Sequence, residues 1–191
     1  MSKPPVRVAV LISGTGSNLR ALAEGAGDAY EVALVLSNKA EAAGLVWAAE
    51  RGIATVALPH APYGKDRRAH EAALDEALRA HDIQVVALAG YMRVLTPWLV
   101  GRWSGRMLNI HPSLLPKYPG LDTHRRALDA GDPEAGCTVH LVSEGVDEGP
   151  ILDQARVPVL EGDTPETLAA RVLEAEHQLY PQALGRFCGG L

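Results

Sequence analysis

Val6-Arg7-Val8-Ala9-Val10-Leu11-Ile12, followed at once by Ser13-Gly14-Thr15-Gly16-Ser17-Asn18-Leu19, decides the architecture. An apolar, β-branched run that breaks into a glycine-containing turn reads as a strand, and the residues after the turn open a helix. Backbone N–H groups at such a helix start converge on an anion. Glycine lets the ligand approach closely, and Ser17 and Asn18 add side-chain donors. The dinucleotide pattern GxGxxG requires glycine where Leu19 stands, and the Walker pattern requires a Gly-Lys pair that is absent. A monophosphate therefore fits better than NAD or ATP. The same residues also suit a plain tight turn in which Ser17 or Asn18 only caps the helix.

Working outward, similar runs recur at Val32–Leu36, Ala54–Leu58, Val85–Leu88 and Arg106–Ile110, separated by segments with helical spacing. This alternation predicts βαβ units around a mostly parallel sheet, an α/β fold. Ala69, Ala73 and Ala77 with Leu74 and Leu78 mark an amphipathic helix over Lys65–Ala80. In the second half, Thr138–Val142 and Ile151–Val157 are strand-like and joined by a polar segment, Ser143 to Gly149, which reads as a hairpin or a loop leaving the sheet. Thr164-Pro165-Glu166 starts a final helix, a cap followed by proline at the first helical position. Leu168, Val172, Ala175 and Leu179 form its buried stripe.

The 191 residues, 47% of them hydrophobic, fit one domain over 1–191, divided into an N-terminal phosphate-binding half to about 105 and a second half from about 106. The apolar start runs directly into the Gly14–Asn18 turn and not into a small-residue cleavage site, so it reads as a first strand and not as a signal peptide. No apolar stretch approaches the roughly 20 residues of a membrane span. A net charge of −5 without a basic block argues against nucleic-acid binding. Cys137 and Cys188 have neither metal nor disulfide spacing, which favours a reducing cytoplasm and predicts no metal.

The richest chemistry lies in Asn109-Ile110-His111, which leads into Pro112-Ser113-Leu114-Leu115-Pro116-Lys117-Tyr118-Pro119-Gly120. In a strand, Asn109 and His111 share one face. An amide donates hydrogen bonds and an imidazole hands over a proton, so the pair can grip a small electrophile. Three prolines in the eight residues after His111 stiffen the loop that follows. Asp147, flanked by glycines, is a candidate partner that would orient the imidazole and favour its charged form. Ser113 lies in no GxSxG elbow and is not read as a nucleophile. His60, His70 and His81 are expected at the surface and His140 is expected to be structural, whereas His124 and His177 lie in segments that could face a ligand. The Leu115-Pro116 bond is predicted to be cis.

The string NIHPSLLPKYPGLDTH at 109–124, with GTGSN at 14–18, LAGYMRVL at 88–95, GCTVHLV at 136–142, DEGP at 147–150 and EHQLYP at 176–181, resembles the phosphoribosylglycinamide formyltransferases, a branch of the folate-dependent formyltransferases. The resemblance implies a Rossmann-like three-layer sandwich with an antiparallel element in the C-terminal half. It also implies transfer of a formyl group from the cosubstrate 10-formyltetrahydrofolate to the amine of phosphoribosylglycinamide, in purine biosynthesis. Carried over by position, His111 is the proton donor and oxyanion partner, Asn109 donates to the formyl oxygen, and Asp147 raises the basicity of His111. Gly16, Ser17 and Asn18 hold the substrate phosphate, and Glu176 lies near the glycinamide end. Arg67, Met92, Arg93, Val94 and Leu95, with Asn109 and the loop Ser143, Glu144, Gly145, Val146 and Asp147, contact the folate. Read without the resemblance, Met92, Val94 and Leu95 look like core. Asp122 stands where relatives commonly have histidine. A relative acting on tRNA, or a hydrolase, should carry a further domain for which this chain has no room, and a module that had lost catalysis should lack Asn109, His111 or Asp147. A homodimer through an apolar face of the second and fourth strands and their helices fits this reading.

Overall fold

Along β1 (Val6–Ile12) the side chains of Val6, Val8, Val10 and Ile12 enter one core while Ala9 and Leu11 enter another. A strand buried on both faces must lie inside a sheet with helices on either side. The computed structural model, which describes residues 3–191, has that arrangement. Seven strands form one sheet in the order β3-β2-β1-β4-β5-β6-β7. They are β1, β2 (Tyr30–Ser37), β3 (Ala54–Ala57), β4 (Val85–Leu88), β5 (Met107–His111), β6 (Glu134–Leu141) and β7 (Ile151–Pro158). The first five pair in parallel, and β6 pairs antiparallel with both β5 and β7. The polar 143–149 segment thus connects the arms of a β6–β7 hairpin.

Helices α1 (Ser17–Glu24), α2 (Ala43–Glu50), α5 (Thr123–Asp129) and α6 (Pro165–Gly189) supply the core on the Val8 and Val10 side. Helices α3 (Arg67–Ala80) and α4 (Pro97–Arg102) supply Leu74, Leu78 and Leu99 on the Leu11 side, where Trp103, just past α4, also packs. This is the expected three-layer α/β sandwich. The order reverses direction between β1 and β4, and an open α/β sheet leaves a crevice at that point, outside the carboxyl ends of the strands. The loops after β1 and β4 flank it.

Boundaries moved where a cap or a strand pairing decides them. Helix α3 begins at Arg67 and not at Lys65, because the Asp66 side chain accepts from Ala69 N at 2.9 Å. Strand β5 runs to His111, and β6 begins at Glu134, since it pairs with β7 all the way to Pro158. Thr164 caps α6 ahead of Pro165 as expected, and the structure adds a reciprocal capping box with Thr167. The Leu115–Pro116 bond is cis.

Three surface expectations changed. His70 is buried, with Nε2 2.8 Å from the carbonyl of Leu58, because the inward face of α3 carries polar groups that serve neighbouring segments. His81 is half-buried, its Nδ1 2.8 Å from the Ala77 carbonyl, and only His60 is exposed. Val85–Leu88 and the second half of β2 are covered within the chain itself, so the strands as such lie inside the fold and only their helices face outward.

Candidate active site

Two clusters form at the carboxyl ends of the parallel strands. The first follows β1. Gly16 adopts φ +73°, a conformation in which a side chain is strained, and this bend delivers α1 with no side-chain cap on its first turn. The first-turn N–H groups are left for an external acceptor. Ser17 lines an open groove of 740 Å³ between α1 and α6, together with Arg20 and His177. Asn18 does not offer its donor to that groove: its Nδ2 lies 3.4 Å from Glu176 Oε1 in the interior, and its Oδ1 has no partner. Burial raises the Glu176 carboxyl to about 7, the Asn18 hydrogen bond opposing the shift. Glu176, assigned to the glycinamide end by resemblance, is therefore held beside the phosphate turn.

The second cluster is built on β5. Its register sets Asn109 opposite His140 and His111 opposite Thr138 on β6, and directly opposed side chains meet on one face. Asn109 Nδ2 lies 3.3 Å from His140 Nε2. Since His140 Nδ1 donates to the Leu141 carbonyl at 3.0 Å, its Nε2 is the acceptor of the Asn109 N–H. Burial lowers the His140 pKa, which keeps that acceptor neutral. One Asn109 N–H is thereby spent and the amide plane is set.

His111 is buried, with Nε2 2.9 Å from the Tyr118 carbonyl. A carbonyl only accepts, so the proton sits on Nε2 and Nδ1 is the exchangeable nitrogen. Nδ1 faces Asp147 Oδ2 at 3.4 Å, while Asp147 Oδ1 lies 3.7 Å from His140 Nε2. Asp147 has φ +56° and accepts from Gly120 N at 2.9 Å, a bond that joins its loop to the proline-rich one. At the base of the Asp147 loop, a Cβ on Gly149 would lie 1.6 Å from the Leu141 carbonyl oxygen, so only glycine closes it. The proline-rich loop is further tied by Thr138, which donates to the Ser113 carbonyl at 2.7 Å and accepts from Leu115 N at 3.1 Å. The Ser113 hydroxyl donates to the Lys117 carbonyl at 2.6 Å, which suits a structural serine.

Asn109, His140 and Asp147 line a cleft of 180 Å³ whose walls include Tyr91, Arg93, Val94, Leu95 and residues 143–146. His111 stands behind this wall, 6% exposed. Val94 is exposed and lines the cleft, which removes the core reading for it. Met92 is 70% exposed and does not line the cleft. The wall segment is held at three points. Met92 N donates to Ser13 Oγ at 2.8 Å, Arg67 donates to the Val94 carbonyl, and buried Glu71 accepts from both the N–H and the hydroxyl of Thr96. Arg68, adjacent in the tandem, stacks instead on Trp98 at 3.8 Å.

His140, Glu71 and Ser13 were not singled out as site residues. The signal for His140 was present in principle, because an antiparallel β5–β6 pairing brings it to Asn109. Of the other histidines, His124 is half-buried with its pKa lowered by burial and by His111, and His177 on the α1–α6 groove has an unpartnered Nε2. Among the described residues, no group of three or more His, Cys, Asp or Glu is arranged to hold a metal ion, and no helix is long and apolar enough to cross a membrane.

Residues 6–184 match the formyl transferase family. Phosphoribosylglycinamide formyltransferase of Escherichia coli (strain K12) is 45% identical over 188 residues, covering 97% of this chain and 88% of that protein. The crystal structure of phosphoribosylglycinamide formyltransferase from Brucella melitensis superposes with a TM-score of 0.92 at 54% identity, over 98% of this chain and 97% of that one. The trifunctional purine biosynthetic protein adenosine-3 of Bos taurus is 50% identical over 187 residues, but this chain spans only 18% of its length. Matched over almost its whole length, the chain belongs to the formyl transferase family.

Proposed function

We propose that residues 1–191 act as one domain that transfers the formyl group of 10-formyltetrahydrofolate to the amine of 5′-phosphoribosylglycinamide, giving tetrahydrofolate and the formylated ribonucleotide in de novo purine synthesis. The reading rests above all on one observation: Asn109 and Asp147 share the wall of the cleft, with His111 Nδ1 3.4 Å from the carboxylate. Apolar walls formed by Val94, Leu95, Val142 and Val146 fit a flat ring. The uncapped turn at Gly16 and Ser17 fits the phosphate.

The amine nitrogen bonds to the formyl carbon, negative charge grows on the formyl oxygen, and the bond from that carbon to the folate nitrogen then breaks. Asn109 donates its free N–H to the oxygen as charge develops, with the amide already oriented by His140. Asp147 takes up the proton lost by the amine, directly or through a water, and passes it to His111 Nδ1, from which it goes on to the leaving nitrogen. Glu176, with its pKa near 7, pairs with the acceptor beside Asn18. Arg67, Arg93 and the 143–147 loop hold the folate. The same reading places the protein in the cytoplasm.

The test is release of tetrahydrofolate, followed by absorbance, from 10-formyltetrahydrofolate with and without phosphoribosylglycinamide. Turnover that needs the ribonucleotide is expected. Equal turnover without it would sink the assigned acceptor and leave a hydrolase.

A further inference from the structure

Ser13 lies between the two clusters and belongs to neither. It is the residue that joins β1 to the Gly14–Asn18 turn, it is 5% exposed, and its hydroxyl makes two hydrogen bonds in opposite directions. Oγ accepts from Met92 N at 2.8 Å and donates to Asn38 Oδ1 at 2.5 Å. Asn38, at the carboxyl end of β2, is 4% exposed. A single hydroxyl thus connects the start of the phosphate turn to the wall of the cleft, across the point where the strand order reverses.

We propose that Ser13 is a positioning residue that sets the spacing between the turn holding the acceptor and the backbone holding the formyl donor. This rests on the reading given above. Each loop has its own further anchors, Gly44 N on the Gly14 carbonyl for the turn, and Arg67 and Glu71 for the wall. Each loop therefore keeps its shape without Ser13, and what is lost is a tie that carries their mutual spacing beyond the end of the β1–β4 ladder, which closes with Ala89 N on the Leu11 carbonyl. When two reactants are held on separate loops, a displacement near 1 Å lowers the rate by roughly 10²-fold without a matching loss of affinity. Removal of the hydroxyl also leaves a buried N–H and a buried carbonyl oxygen without partners, which loosens the Met92 end first.

The test compares wild type with Ser13→Ala, and with Asn38→Ala in case the first variant folds poorly. Binary dissociation constants for phosphoribosylglycinamide and for tetrahydrofolate are measured by calorimetry, kcat is measured at saturation, and exchange of the Met92 amide is followed by NMR. The expected result is a fall in kcat of about tenfold or more, each dissociation constant within about threefold of wild type, faster exchange at Met92, and partial recovery of kcat in Ser13→Thr, which restores the hydroxyl. Unchanged kcat would overturn the proposal, and so would a loss confined to the dissociation constants. If wild type binds tetrahydrofolate but not the ribonucleotide, the functional reading fails instead, a result distinct from failure of the Ser13 role.

Discussion

The turn after β1 and the loop after β5 both face a negatively charged oxygen on the proposed reading, and they are made of opposite materials. The β1 turn relies on backbone N–H groups released by a left-handed glycine, with no acidic side chain in its first turn. The β5 cluster relies on side chains: an amide fixed by a neutral imidazole, and a second imidazole against a carboxylate. A phosphate keeps its charge throughout, so fixed dipoles serve it best. Charge on a formyl oxygen appears and disappears within one turnover and needs groups that move protons. Permanent charge is met by the backbone and transient charge by side chains.

The largest effect that contrast predicts is at His111. His111→Ala should lower kcat by roughly 10²- to 10⁴-fold with little change in binding of the ribonucleotide, measured by calorimetry beside steady-state turnover. A parallel loss of ribonucleotide affinity would mean that the two clusters are not separate. Asn109→Ala removes one donor to the developing charge and should cost roughly 10²- to 10³-fold in kcat. If Asn109→Ala instead raised only the Michaelis constant, the amide would be binding the ground state and the oxyanion role would fall.

The contrast also explains which parts were readable from the chain alone. β4 is an unbroken apolar run and β1 is broken only by Arg7 near its start, because both of their faces are covered, and their limits matched at Val6–Ile12 and Val85–Leu88. The turn at Gly16 is a local event, written in consecutive residues. His140 is different: its contact with Asn109 comes from the antiparallel register of β5 with β6, a pairing between segments 31 residues apart. The start of β6 at Glu134 was hidden for the same reason, since pairing with β7 and not local hydrophobicity extends it. Asn18 turned inward because Glu176 approaches it from α6, 158 residues away. Asn109, His111 and Asp147 could be named from spacing and resemblance, whereas the groups that orient them depend on tertiary contacts.

Glu176 is where the two designs touch, a titratable group beside the backbone turn. Its carboxyl is raised from 4.5 to about 7 by burial, so the fold accommodates the neutral form. The sign follows: the native state binds the extra proton between those values, so stability is fully present below about 4.5 and is lost as pH rises through about 7. The loss across that window is on the order of 3 kcal/mol. Glu176→Gln keeps an acceptor for Asn18 and cannot ionise. In urea titrations it should match wild type near pH 4.5 and exceed it at pH 8, while binding the ribonucleotide more weakly there. Parallel pH profiles for the two proteins would show that the carboxylate is not strained in the fold.

The smallest effect separates two neighbours. Arg67 and Arg68 are adjacent in sequence, yet only Arg67 reaches the cleft wall, through the Val94 carbonyl, while Arg68 lies on the Trp98 ring, which Arg102 also approaches at 5.1 Å. Removing Arg67 frees the middle of a segment whose ends stay tied by Ser13 and Glu71, so the wall should loosen without collapsing. Arg67→Ala is therefore expected to raise the Michaelis constant for 10-formyltetrahydrofolate by roughly three- to tenfold, the value of one ordinary exposed hydrogen bond, and to leave that for the ribonucleotide unchanged. Arg68→Ala should leave both constants alone and lower folding stability by about 0.5–1 kcal/mol, the value of an exposed stacking contact. If Arg68→Ala carried the kinetic effect, the donor would run along Trp98 and not along the 91–95 backbone. The assignment of the donor to the side of the cleft formed by residues 91–95 would then have to be redrawn.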